Sequence, residues 1–302
     1  MTALRPRVLT IAQPVWQNLR VRPFEGSVAG AFRRACNLID AEGRLVTLAL
    51  PSIGNGPFYI IVEAADALFD RIQPRQPVRI DADQLIVGAA RLSLEMAHVW
   101  NPTLSVHQPL GGLTPAIAAI LHSYAGWPPP TAATPLAACT VRALAEGAEA
   151  LALALARHAG QVEAARQLAG LGGGLTPAGD DYLLGVMAAL WLRGDHQPLP
   201  AMARGAISCT TTVSGAFLAA AAEGQFTQAW HDLADALYRE DQASCQGAVE
   251  RIAAFGASSG CDALAGFART LLIRTDYDCF GGRACCLRMP RRLIVESPTN
   301  RL

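Results

Sequence analysis

Two adjacent carboxylates, Asp180 and Asp181, close the phrase Gly170-Leu-Gly-Gly-Gly-Leu-Thr-Pro-Ala-Gly-Asp-Asp181. Gly172, Gly173 and Gly174 let the backbone take positive φ and let a ligand approach it closely. Thr176 followed by Pro177 reads as an N-cap with proline at the first helical position, which puts both aspartates in the first turn. Amide groups of a glycine turn joined to a helix N-terminus form an anion-binding concavity suited to a phosphate or a small carboxylate. The aspartates would repel a bare anion. They suit an amide or carbamoyl NH2, or a divalent cation bridging to the anion. The plainer role is to complement the helix dipole, worth about 0.3–1 kcal/mol each. Against it, Asp180 shares a helical face with Leu184 and Met187, where an unpaired carboxylate is costly.

Three further stretches carry polar groups in structured contexts. Ser258 or Ser259 would cap a helix beginning near Gly260, with Asp262 in its first turn. Ser208-Cys-Thr-Thr-Thr-Val-Ser-Gly215 offers Ser208, Thr211, Thr212 and Ser214 as hydroxyl donors, with back-bonding to helix carbonyls as the ordinary alternative. Gly54-Asn55-Gly56-Pro57 is dense in turn residues, and Asn55 is a candidate ligand. Gly111-Gly-Leu-Thr-Pro-Ala116 repeats Gly173-Gly-Leu-Thr-Pro-Ala178 letter for letter. The repeat is either a helix-start phrase used twice or two helix N-termini converging on one ligand.

Composition narrows the classes. The chain has 302 residues, half of them hydrophobic, and no net charge, which argues against a disordered chain and against nucleic-acid binding through a basic surface. All 25 basic residues are arginines, so a Walker-type loop and a Schiff-base lysine are excluded. The eight cysteines form no CxxC pair, which disfavours a structural zinc site and reads as reduced thiols in the cytoplasm. No signal peptide is recognised, and apolar runs such as Leu183–Leu192 are too short to span a bilayer.

The elements that position these groups fall into an α+β arrangement. Residues 1–24 show no clear period. From Gly26 to about Val87 the signals are strand-like: Val46, Leu48 and Leu50 alternate as in a half-buried strand, and Phe58–Val62 reads as a buried one. Residues 64–72 suit one short helix. Residues 1–100 are therefore expected to form a small, mostly antiparallel β domain. Residues 101–274 are expected to form a larger helical domain, with helices near 137–155, after Asp181, over 200–223, over 226–237 and over 264–272. The stretch 275–302, with Cys279, Cys285 and Cys286, shows no periodicity.

Taken together, several phrases resemble a bacterial family whose best described members are the third subunit of the oxamate carbamoyltransferase of allantoin breakdown. They are the strand pair around Gly54-Asn-Gly-Pro57, Trp100-Asn-Pro102, the glycine-aspartate phrase and Ser258-Ser-Gly-Cys-Asp262. The resemblance covers roughly residues 20–273. It departs at Cys261, where an aromatic residue is expected, and in the tail beyond Arg274. It implies a role in carbamoyl transfer (oxalurate plus phosphate giving oxamate plus carbamoyl phosphate) alongside other protein subunits; from composition and the short apolar runs, neither nucleic acid nor a membrane is expected as a partner. In that reading Gly172–Gly174 hold a phosphate or oxamate carboxylate. Asp180 and Asp181 orient the carbamoyl NH2 or a cation, and Thr176, Ser258 and Ser259 add neutral hydrogen bonds. A non-catalytic ligand-binding or scaffolding subunit is the alternative. A stand-alone hydrolase using Cys261 or Ser259 ranks behind both.

Overall fold

The structure is a computed structural model that describes residues 6–63, 67–106, 108–127 and 138–272. The expectations about the 275–302 tail lie outside these residues. The N-terminal part is built on nine strands: β1 (Arg7–Ala12), β2 (Phe24–Ala31), β3 (Ala35–Asp40), β4 (Leu45–Ala49), β5 (Tyr59–Glu63), β6 (Pro77–Ile80), β7 (Gln84–Val87), β8 (Ala90–Ser93) and β9 (His98–Trp100). They form one sheet in the order β8-β7-β6-β2-β3-β4-β5-β1-β9. Only β4–β5 and β1–β9 pair in parallel. Two helices accompany the sheet, α1 (Gln13–Val21) and the single turn α2 (Ala67–Asp70).

Nine helices follow among the described residues: α3 (Pro115–His122), α4 (Ala138–Ala156), α5 (Gln161–Leu168), α6 (Ala178–Arg193), α7 (Leu199–Ile207), α8 (Thr212–Ala222), α9 (Gln228–Tyr238), α10 (Gln242–Ala253) and α11 (Ser259–Leu272). The architecture is α+β. No helix among the described residues is long and apolar enough to cross a membrane.

Three local expectations change. Residues 7–21 form β1 and α1, whose short lengths are too brief to show a period; Pro14 sits in the first turn of α1. Strand β4 is buried along its whole length rather than on alternate residues. It lies inside the sheet, and both faces are covered: Val46 and Leu48 join the main sheet core, whereas Ala49 joins Tyr59, Ile61 and Phe217 of α8. The single helix expected over 200–223 is two helices, α7 and α8, broken at Ser208–Thr211. Consecutive threonines are poor helix formers, and Thr211 becomes the N-cap of α8, accepting from the Ser214 N–H at 3.1 Å.

The sheet and the helices are fastened at named points. Phe58 meets Phe217 edge to face at 5.3 Å between ring centroids. Trp100 packs against His231, which hydrogen-bonds the Pro102 carbonyl at 3.0 Å. The Phe226 N–H donates to the same carbonyl, and Thr103 bridges to Gln225. The Trp100-Asn-Pro102 phrase is thus the seam between sheet and helices.

Helix α6 is the buried axis of the helical part, and α11 crosses it without side chains between the backbones. A Cβ added at Gly185 would lie 1.7 Å from the Ala263 carbonyl oxygen, and one at Gly266 would lie 2.0 Å from that of Tyr182. No rotamer relieves such a clash, because the obstacle is backbone. The two helices run the same way: Thr176 and Ser259 meet at their starts, and Arg193 donates to the Thr270 carbonyl at 3.2 Å near their ends. We expect Gly266→Ala to destabilise the fold by about 1–3 kcal/mol or more, the range for overpacking. Gly111→Ala, with open space at its Cβ position, should stay within about 0.5 kcal/mol of the native chain. Urea denaturation of both variants measures the contrast.

Candidate functional site

The glycine-aspartate phrase folds back on itself before entering α6. Gly170 and Gly172 have φ of +75° and +117°. At Gly170 a side chain would also strike the Cys209 carbonyl oxygen, 2.3 Å from its Cβ position. The loop is therefore pressed against the α7–α8 break. Gly173, Gly174 and Leu175 form an exposed lip. Helix α6 begins at Ala178 with Pro177 as its N-cap, not with Thr176 as the capping residue. The Thr176 hydroxyl shares a hydrogen bond of 3.0 Å with Ser259 instead, and so reaches the start of α11.

Asp180 is buried, and both its oxygens are engaged. Oδ1 accepts from the Gly170 N–H at 2.9 Å, and Oδ2 accepts from the Thr210 hydroxyl. Ser214, itself buried, adds a further hydrogen bond. Thr211 donates to the Leu175 carbonyl at 2.7 Å. Thr210, Thr211 and Ser214 thus staple the α8 start to the glycine loop, and Asp180 is the pin through both. Burial pushes its carboxyl above the ordinary aspartate range, against the pull of these donors.

Asp181 faces the other way, toward α11. Burial holds its carboxyl well above the usual carboxylate range, and the charges of Asp262 and Asp180 push in the same direction; Ser259 and Thr176 hydrogen bonds oppose them. Asp262 is buried in the first turn of α11 and accepts from the Trp127 indole N–H at 2.6 Å. Burial raises its carboxyl too, against hydrogen bonds from Trp127 and Ser258. The Oδ2 atoms of Asp181 and Asp262 are both sealed from solvent with no hydrogen-bond partner. Orphaned buried carboxylate oxygens are rare because desolvation is uncompensated. Among the described residues no arginine or histidine forms a salt bridge with any of the three aspartates.

Of the residues singled out from sequence, the structure brings together Gly172–Gly174, Thr176, Asp180, Asp181, Thr211, Ser214, Ser258, Ser259 and Asp262. It does not bring Asn55 there. Asn55 accepts from Thr10 and donates to Gln228 Oε1 at 2.9 Å, so it fastens the sheet to α9. The repeat at 111–116 does not join the site either. Leu110 donates to the Leu192 carbonyl at the far end of α6, a helix roughly 24 Å long at 1.5 Å per residue. Thr114 caps α3, and the chain then returns to place Trp127 on Asp262. The repeat is a helix-start phrase used twice.

Trp127 is the site residue that sequence reading missed. Its indole donates to Asp262, and its ring lies against Tyr182 at 4.4 Å between centroids. It precedes a proline run and carries no periodic signal. Among the described residues no group of three or more His, Cys, Asp or Glu side chains is arranged to hold a metal ion. Asp180 is already committed to two loops, so a cation bound by the adjacent aspartates has no support in this geometry. Cys261 donates toward the Ala253 carbonyl at 3.8 Å, and burial pushes its thiol up, so nothing activates it as a nucleophile. Two surface clefts, of about 390 and 290 Å³, lie beside β2–β3 and between α1 and α8, and none of the three aspartates lines either.

Comparison with known proteins bears on this arrangement. Residues 7–101 match the AllH family N-terminal domain, and residues 168–271 match the oxamate carbamoyltransferase subunit AllH. The chain belongs to the AllH family. The second match begins at Leu168 and ends at Leu271, so it contains α6, the α7–α8 break and the start of α11 together. No solved structure matches the chain.

The raised carboxyl of Asp181 has a consequence for stability. A folded-state pKa above the unfolded value gives stability that is full at low pH and lost as pH rises through the folded value. Asp181→Asn removes that titration. Its melting temperature should gain on that of the native chain as pH rises from about 4 toward neutrality. Calorimetry across this range checks it, and parallel curves would contradict the assignment.

Proposed function

We propose that this chain is the subunit of an oxamate carbamoyltransferase-type complex that holds the carbamoyl group. The observation that carries the reading is the pair of orphaned oxygens, Asp181 Oδ2 and Asp262 Oδ2, at two helix starts locked side by side. Two acceptors of this kind suit the two N–H donors of a carbamoyl or amide NH2. The family match supplies the reaction class.

In the reaction, the carbamoyl carbon exchanges its bond to the ureido nitrogen of oxalurate for a bond to a phosphate oxygen. The proton lost by phosphate ends on the departing nitrogen, giving oxamate and carbamoyl phosphate. Asp181 and Asp262 would hold the NH2, with Thr176 and Ser259 alongside. The amides of Gly172–Gly174 would face the phosphate or the carboxylate. Positive φ at Gly172 and Gly174 but not at Gly173 favours a concavity of N–H groups. Gly173 also has open space at its Cβ position, so packing does not require glycine there. Asp180 acts as a positioning residue, because its oxygens are spent on Gly170 and Thr210. Catalysis in this scheme is orientation and charge stabilisation, without a covalent intermediate.

The double variant Asp181→Asn with Asp262→Asn tests the reading in the reconstituted complex. Carbamoyl phosphate formation should fall by about 100-fold or more, the scale of losing a site's polar anchors. Assembly should be intact. Undiminished turnover with normal assembly would refute the proposal.

A further inference from the structure

Beside the glycine lip lies a surface that the chemistry above does not use. Phe32, in the turn between β2 and β3, is 51% exposed, and Leu175, on the lip, is 44% exposed. A Cβ at Gly30 would lie 3.3 Å from the Phe32 ring and 3.6 Å from Leu175 Cδ1, so the two apolar side chains border the same glycine. A β-bulge between Val28 and Gly30 shifts the register at this point, and bulges re-aim strand side chains. Leu175 is not exposed for want of anchoring. Its carbonyl accepts from Thr211 at 2.7 Å and from Ser214 at 3.5 Å. Arg33 and Arg34 follow Phe32 and are exposed. Neither side chain forms an ion pair among the described residues, nor does the exposed Arg91 of β8, whereas Arg7 of β1 and Arg79 of β6 are paired with Glu63 and Glu25.

We propose that Phe32 and Leu175, flanked by Arg33 and Arg34, are the docking surface for another subunit of the carbamoyltransferase, which thereby covers the glycine lip. The partner presents an apolar socket rimmed by carboxylates. A second copy of this chain does not fit, because a two-fold contact centred here would set Arg33 and Arg34 against their own counterparts. Nucleic acid does not fit a patch with an apolar centre on a chain of zero net charge. Exposed aromatic and arginine side chains together are the composition of interface anchors. The proposal rests on the chain being a subunit of such a complex, but not on which residues bind substrate.

The test is assembly of the full complex with Phe32→Glu, and separately with the double variant Arg33→Glu and Arg34→Glu, followed by analytical ultracentrifugation. Phe32→Glu should weaken association at least tenfold. The charge reversal should also weaken it, with the loss greatest at low salt. Both isolated chains should melt like the native one, since neither site is buried. Native-strength assembly of both variants would overturn the proposal. So would a homodimer of the isolated chain that Phe32→Glu dissolves. The double Asp181 and Asp262 variant distinguishes the two readings: it should assemble normally, so a complex that assembles but does not turn over implicates the carboxylates alone.

Discussion

Everything in the helical part depends on the bare backbone contact between α6 and α11. Gly185 and Gly266 each oppose a carbonyl oxygen of the other helix at a separation no side chain could share. That contact brings the two helices together, and the Thr176–Ser259 and Arg193–Thr270 hydrogen bonds show them running the same way, so their first turns are neighbours. Asp181 and Asp262 come together for this reason alone, being far apart in the chain. The same close approach excludes water from between the helices, which makes a carboxylate there expensive to ionise.

The electrostatics of the site are a contest with an identifiable winner. Both helix N-termini favour negative charge, and hydroxyl groups from Thr176, Ser258, Ser259 and Thr210 add to that preference. Burial opposes them and prevails at all three aspartates, each of which is held above its ordinary range. The three do not share one role. Asp180 is satisfied by Gly170 and Thr210 and acts as a structural pin, whereas Asp181 and Asp262 retain an unpaired oxygen each. Adjacent aspartates on a helix point about 100° apart, which is why neighbours in sequence serve different loops.

The sheet contributes seams rather than chemistry to this arrangement. Asn55 and the Trp100-Asn-Pro102 phrase both fasten the sheet to the segment leading into α9. The β2–β3 turn extends from the sheet to the glycine lip and brings Phe32 beside Leu175. Phrases that look like ligand sites in a bare sequence can therefore be joints, because turn-rich polar stretches serve both purposes.

The sequence by itself determined that there is a β-rich part followed by a helical part, because periodicity and turn residues are local properties. It also determined that the glycine-aspartate phrase begins a buried helix, since α6 is apolar on every face. The helix start near Ser259 was legible from capping chemistry, whereas the start at Thr211 was hidden inside what reads as one helix over 200–223. Tertiary structure alone decided the rest. The repeat at 111–116 has the same letters as 173–178 but lies at the other end of α6, because α3 runs back toward the site rather than away from it. Trp127 reaches Asp262 across 135 positions. No local pattern encodes such a pairing, which follows from how helices pack. The division of labour between Asp180 and Asp181 was likewise invisible until the facing loops were in place, since a carboxylate's role is set by the donors that surround it.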